Sequence, residues 1–220
     1  MNILLTGGTG FIGKNFINLL LNSSHSVLVL SRTISKKKKN IKFIKTDLNL
    51  STLSYRKIKK FKPSIVINLA WEGIPNFDRS TSHKNYLDQI SFFKKILTIK
   101  EIKKVISIGS CWEYQKKKGI CKEADKTTSK TYFTKAKLNI KSFIEKECKN
   151  KKINFLWFRL FYVFGPHQKD SSLIPFVIKK IINNKSLNKI NFKNQNDFIY
   201  VNDCCNIIFR SIRKKMPSGI

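Results

Sequence analysis

Asn2-Ile3-Leu4-Leu5-Thr6-Gly7-Gly8-Thr9-Gly10-Phe11-Ile12-Gly13 opens the chain and decides how the rest of it is read. A strand-like apolar run, Ile3 to Leu5, passes directly into a glycine turn, and the helical spacing of Phe11 to Leu21 begins before the turn has ended. The glycines fall at G-x-x-G-x-x-G. In such a strand–turn–helix unit Gly7 permits the tight turn, Gly10 lets a pyrophosphate approach the backbone, and Gly13 lets helix and strand pack closely. Unpaired N–H groups and the dipole at the helix start favour the phosphate charge. Gly7, Gly10, Phe11, Ile12 and Gly13 are therefore the expected contacts of a dinucleotide.

Working outward, strand-like runs recur at Val27 to Leu30, Ile41 to Ile44, Ile65 to Leu69, Val105 to Ile108 and Phe155 to Phe158. Helical spacing separates most of them, as in Tyr86 to Ile99 and Thr134 to Cys148. This alternation predicts an α/β fold, a Rossmann-type doubly wound parallel sheet, over residues 1–165. After Gly165-Pro166 the pattern changes to a helix over Leu173 to Ile182, a short strand near Ile190 and an apolar Asp197 to Val201 segment. Residues 166–220 read as the start of a substrate-binding lobe packed on the same core, and Pro217-Ser218-Gly219-Ile220 as the approach to another strand.

The net charge of +31 raises nucleic acid as a partner. Lysine, at 38 residues against 6 arginines, is spread through almost every segment, whereas a phosphate-reading face would concentrate arginine. The charge therefore argues for lysine-rich composition rather than nucleic-acid binding. Five cysteines with no C-x-x-C spacing indicate neither a disulfide framework nor a zinc site. No signal-peptide layout or membrane-length apolar run appears, so the chain reads as a soluble cytoplasmic protein.

The second strand ends at Val29-Leu30-Ser31-Arg32, about twenty residues past the glycine turn, where an NAD site usually offers a carboxylate to the ribose 2′-hydroxyl. No carboxylate stands there. Ser31 and Arg32 suit a 2′-phosphate, which favours NADP and leaves NAD open.

Further motifs follow in order. Thr46-Asp47-Leu48, Asn68-Leu69-Ala70-Trp71, Gly109-Ser110-Cys111-Trp112-Glu113-Tyr114, Phe158 to Pro166 and Asn196 to Asp203 resemble the D-L, H-L-A-A, S-S-x-x-V-Y-G, L-R-x-x-N-V-Y-G-P and R-D-F-I-Y-V-D-D segments of the extended short-chain dehydrogenase/reductase family, the NAD-dependent epimerase/dehydratase group. The resemblance runs from Met1 to about Asp203. It implies that Asp47 and Leu48 reach the adenine, that Leu69 and Ala70 line the cofactor, that Asn85 falls near the asparagine opening the next helix, and that Ser110 hydrogen-bonds the reacting sugar oxygen. The acidic pair of 4,6-dehydratases is replaced by Cys111 and Trp112, which argues against dehydration by that route. The family's substrate-binding asparagine is Tyr162 here.

The family's Y-x-x-x-K places a lysine four residues after a tyrosine on one helix face, where its charge lowers the phenol pKa and holds the nicotinamide ribose. The chain reads Thr131-Tyr132-Phe133-Thr134-Lys135-Ala136-Lys137-Leu138. Matching Ala136-Lys137-Leu138 to the usual A-K-L makes Lys137 the ribose lysine and puts Phe133 at the tyrosine position. Tyr132 is then one residue out of register. Either Tyr132 swings in as the acid/base, or the Tyr132/Lys135 pair serves, or the hydride chemistry is impaired.

The resemblance implies an NAD(P)-dependent nucleotide-sugar epimerase or reductase of surface-polysaccharide biosynthesis, with Ser110, Tyr132 and Lys137 as catalytic residues and a homodimer left open. A catalytically impaired dinucleotide-binding protein and an RNA-associated member of the same fold are the alternatives. The family ordinarily continues well beyond this length, so the substrate lobe reads as incomplete.

Overall fold

The computed structural model describes residues 1–33, 38–115, 119–187, 195–213 and 216–219. Its centre is a six-stranded parallel sheet built from β1 (Asn2–Thr6), β2 (Ser26–Ser31), β3 (Ile41–Lys45), β4 (Ile65–Asn68), β5 (Lys104–Ile108) and β6 (Asn154–Phe158), in the order β3-β2-β1-β4-β5-β6. The order reverses between β1 and β4, whose register pairs Thr6 with Asn68. Ligands of doubly wound sheets bind in the crevice beyond the carboxyl ends at such a reversal.

Alternation along the strands builds two cores. Ile3, Leu5, Val27, Val29, Ile65, Ile67, Ile106 and Leu156 face one layer, made by α1 (Phe11–Leu21) and α6 (Val201–Arg213). Leu4, Leu28, Leu30, Val66, Val105, Phe155 and Trp157 face the other, made by α2 (Thr52–Phe61), α3 (Arg79–Ile96) and α4 (Tyr132–Asn150). With both faces covered, the inner strands are apolar through their middles, as a parallel sheet requires, while the edge strand β3 exposes Lys42 and Lys45.

Helix starts follow their capping side chains. Ser51, Asp78 and Thr131 each accept a backbone N–H three residues on, at Ser54, Thr81 and Thr134. The Asp78 cap starts α3 seven residues before Tyr86, so Asn85 lies in its second turn rather than at its opening.

Beyond β6, the short strands β7 (Tyr162–Phe164) and β8 (Phe198–Tyr200) pair in parallel, and α5 (Leu173–Ile182) buries none of its residues. The strand expected near Ile190 lies outside the described residues. The Asp197 to Val201 segment divides into β8 and the start of α6, which returns to pack Val201, Cys204, Cys205, Ile208 and Ile212 beside Phe16, Ile17 and Leu20 of α1. Gly219 pairs in parallel with Leu156 on the open edge of β6, donating to Phe155 O and accepting from Trp157 N–H, each at 2.9 Å. Among the described residues no helix is long and apolar enough to cross a membrane.

Candidate active site

The glycine turn has the geometry of a phosphate cradle. Gly7 sits at φ +70°, and a Cβ on it would lie 2.5 Å from the Leu69 carbonyl carbon. A Cβ on Gly13 would lie 2.1 Å from Gly7 O, so only glycine lets α1 start this close to β1. At Gly10 the nearest atom to such a Cβ is Gly7 O at 3.3 Å, which leaves the approach from the crevice open. Gly10 is also the N-cap of α1 and brings no side chain to satisfy its first turn, so the N–H groups there are available to a phosphate. Phe11 and Ile12 pack partly buried against the α1–α6 core and fix the helix on the sheet.

Around this turn stand the other expected cofactor contacts. Ser31 is buried, with its hydroxyl 3.2 Å from that of Thr33. Arg32 is exposed and ion-paired at 2.8 Å to Glu72, which also holds Lys84 at 2.7 Å. Asp47 is exposed, and Leu48 packs partly buried on the core. Leu69 N–H donates to Thr6 O at 3.2 Å. Ala70 O accepts from Gln89 Nε2 at 2.7 Å.

Beneath them Asn68 anchors a closed polar network: it accepts from Thr6 Oγ1 at 2.6 Å and donates to Gln89 Oε1 at 2.7 Å and Ser107 Oγ at 2.9 Å. Every polar atom of the Asn68 amide tip is thus used, and the ends of β1, β4 and β5 are tied together where the crevice begins. Asn85 fixes the next segment, accepting from Glu72 N–H at 2.8 Å and donating to Glu72 O at 3.0 Å.

On the far side of the crevice, Lys137 is buried and donates to Ile108 O at 2.8 Å. Its ammonium lies 4.2 Å from the centroid of Trp71, with Phe133 at 5.9 Å and Trp157 at 6.0 Å. Burial pushes its pKa down to about 8, against the raising influence of Glu113. Phe133 stands four residues earlier on the same face, 4% exposed, and packs on Trp71, Phe77 and Trp112. Tyr132 is 55% exposed. The structure therefore brings Phe133, not Tyr132, together with Lys137, because one residue turns the side chain about 100° around the helix.

Ser110 follows Ile108 and Gly109 at the end of β5. Its Oγ accepts from Trp112 N–H at 3.2 Å. Its hydroxyl also bonds the neighbouring Cys111 thiol, whose pKa burial pushes up to about 11. Cys111 is accordingly a neutral thiol near pH 7 and does not replace a dehydratase carboxylate. Glu113, which the sequence reading passed over, is fully buried directly behind Ser110. Among the described residues no cluster of histidine, cysteine and carboxylate groups could hold a metal ion.

The pattern described as the NAD dependent epimerase/dehydratase family matches residues 3–219. The chain belongs to this family. CDP-abequose synthase of Salmonella muenchen is 24% identical over 228 residues, spanning 99% of this chain and 72% of the relative. GDP-6-deoxy-D-talose 4-dehydrogenase of Aggregatibacter actinomycetemcomitans is 27% identical over 220 residues, spanning 97% and 71%. In fold, the chain is similar to UDP-glucuronic acid 4-epimerase of Bacillus cereus in complex with NAD, with a TM-score of 0.85 at 23% identity, covering 100% of this chain and 76% of that one. Membership carries the epimerase/dehydratase fold and dependence on NAD as the family's cofactor type.

Proposed function

We propose that this chain is an NAD(P)-dependent enzyme that exchanges hydride at a carbinol or carbonyl carbon of a nucleotide sugar, as an epimerase or reductase of surface-polysaccharide biosynthesis. The observation that carries the reading is Lys137, a buried cation fixed to Ile108 O at the end of β5, two residues before Ser110. The names of the relatives, a CDP-sugar synthase and a GDP-sugar dehydrogenase, support the substrate class.

Gly7, Gly10 and Gly13 would hold the pyrophosphate, Asp47 and Leu48 the adenine side, Leu69 and Ala70 the middle of the dinucleotide, and Lys137 the nicotinamide ribose. The dinucleotide supplies the hydride donor or acceptor when bound. Ser110 orients the sugar oxygen through its hydroxyl, held from behind by the Trp112 N–H. Lys137, mostly protonated at pH 7, stabilises negative charge developing on that oxygen. No phenol stands four residues before Lys137, and Phe133 with Trp71, Phe77 and Trp112 forms an aromatic cluster at that place. Proton exchange is therefore the weak step of this site, and Phe133 favours the second reading, a cofactor-binding protein with impaired turnover.

NADP is the proposed preferred form, with Arg32 facing the 2′-phosphate and Glu72 opposing it. Calorimetric titration with NADPH and NADH, followed by single-turnover oxidation of bound NADPH by a 4-keto sugar nucleotide, tests the function. Binding with slow oxidation is expected. Failure to bind either dinucleotide would overturn it.

A further inference from the structure

Glu113 has no exposed surface, and its carboxylate meets three donors. Oε1 accepts from Ser110 N–H at 2.8 Å, and Oε2 accepts from Trp157 Nε1–H at 2.9 Å and Arg159 Nε–H at 3.2 Å. A charge without water is costly unless it is paired and fully hydrogen-bonded, and this one is. Arg159 is itself buried; its Nη1 donates to Glu123 O at 3.0 Å and its guanidinium lies over the Tyr114 ring at 4.6 Å. The glycine between Ile108 and Ser110 completes the fit, since a Cβ on Gly109 would lie 2.2 Å from Trp157 Nε1 and 2.5 Å from Glu113 Oε1.

Three consecutive residues at the end of β5 are thus gripped from two sides. Lys137 holds Ile108 through its carbonyl, Glu113 holds Ser110 through its amide, and Gly109 fits between the Glu113 and Trp157 side chains. We propose that Glu113 is a positioning residue for the active site: from inside the sheet edge it fixes the Ile108–Ser110 strap, and with it both the Ser110 hydroxyl and the charge state of Lys137. This rests on the reading of Ser110 and Lys137 as functional residues. Glu113 and Lys137 meet the same Trp157 side chain, Glu113 Oε2 accepting from its Nε1–H at 2.9 Å and the Lys137 ammonium lying 6.0 Å from its ring centroid, and the Glu113 charge raises the Lys137 pKa; the other neighbours of the ammonium are the Ile108 carbonyl and the rings of Trp71 and Phe133. Neutralising Glu113 therefore removes the charge that holds the Lys137 pKa up, and Lys137 loses its proton more readily.

Competitive acylation of Lys137, read by mass spectrometry of its peptide across pH, measures that proton directly and needs no turnover. In the parent the labelling midpoint is expected near pH 8. In Glu113→Gln it should fall by about half a pH unit or more, roughly a threefold change in free amine at fixed pH. In Glu113→Asp, which keeps the charge but shortens the reach, the midpoint should stay near that of the parent while the Ser110 amide exchanges with deuterium about tenfold faster. A folded Glu113→Gln with an unmoved midpoint would overturn the proposal. If the glutamine variant does not fold, unchanged Ser110 exchange in Glu113→Asp would overturn it alone. Loss of NADPH and NADH binding in the parent would instead bring down the functional reading and leave these two measurements intact.

Discussion

Arg32 Nη1 lies 2.8 Å from Glu72 Oε1, so the base that would face a 2′-phosphate in the proposed NADP site is already held by a carboxylate from the loop after β4. Hydrogen bonds, first from Lys84 and then from Arg32, keep the Glu72 carboxyl below its ordinary range. A phosphate must compete with this carboxylate for the guanidinium. Both side chains are largely exposed, and such pairs contribute only about 0.2–1 kcal/mol after solvent screening. Glu72→Gln should accordingly raise NADPH affinity roughly two- to fivefold and leave NADH affinity unchanged. The gain should shrink at high salt. Calorimetric titrations at two ionic strengths decide it, and equal NADPH affinities for parent and variant at low salt would rule out the competition.

The two glycines of the turn separate fold from binding. Gly13→Ala pushes a methyl against Gly7 O and the Gly8 backbone, neither of which can yield as a side-chain tip would. It should cost about 1–3 kcal/mol of stability, as overpacking does, together with cofactor binding. Gly10→Ala meets only Gly7 O at 3.3 Å, so its thermal midpoint should stay close to the parent value. Its methyl would nevertheless stand where the proposed site has the pyrophosphate approach. Loss of dinucleotide binding with an unchanged melt is the expected result, and retained binding in Gly10→Ala would remove the turn from the cofactor site.

The parallel sheet was legible because each strand is an apolar run long enough to cross a core covered on both faces. The helices α2 and α6 were not. In α2 only Ser54 and Ile58 are buried among lysines, and α6 hides its spacing of Cys204, Cys205, Ile208 and Ile212 directly behind a β-strand. The tight glycine turn could be read from local spacing alone. The Glu113 cluster could not, since its partners Trp157 and Arg159 lie 44 and 46 residues away, and neither could the Arg32–Glu72 pair, 40 residues apart. Only the capping spacing from Ser110 to Glu113 offered a local hint.

His25 supplies a prediction about pH. It is 2% exposed, neither ring nitrogen has a hydrogen-bond partner among the described residues, and burial, the N-terminal amine and Arg213 lower its pKa. Its folded pKa lies below that of the unfolded chain, so the unfolded state takes up the proton first as pH falls. Stability from this site is full above pH ~6.5 and declines below it, toward the folded pKa, by at most about 1.4 kcal/mol per pH unit. Urea melts from pH 7.5 to 5 should show the decline, and His25→Phe should flatten it. An equally steep decline in the variant would assign the effect elsewhere.

Phe133 and Tyr132 decide whether this member of the family turns over or only binds. Phe133 is buried four residues before Lys137, and Tyr132 is more than half exposed. A hydroxyl added at Phe133 enters a dry cluster, where an unpaired polar group is costly. The Phe133 ring centroid lies 5.9 Å from the Lys137 ammonium and 5.1 Å from the Trp71 ring, whose Nε1–H is buried without a hydrogen-bond partner among the described residues, so the cluster holds donors for the new oxygen. A phenol next to that cation gains acidity and becomes able to exchange a proton near neutral pH. Phe133→Tyr should therefore raise single-turnover oxidation of bound NADPH by a 4-keto sugar nucleotide by about 10²-fold, the usual worth of a positioned acid/base. Tyr132→Phe should change it less than twofold. Both variants should bind cofactor as the parent does, because the glycine turn and Lys137 are untouched. A large loss in Tyr132→Phe with no gain in Phe133→Tyr would mean that Tyr132 reaches the reacting oxygen after all. Absence of oxidation in the parent and both variants, with binding intact, would leave the chain a dinucleotide-binding protein.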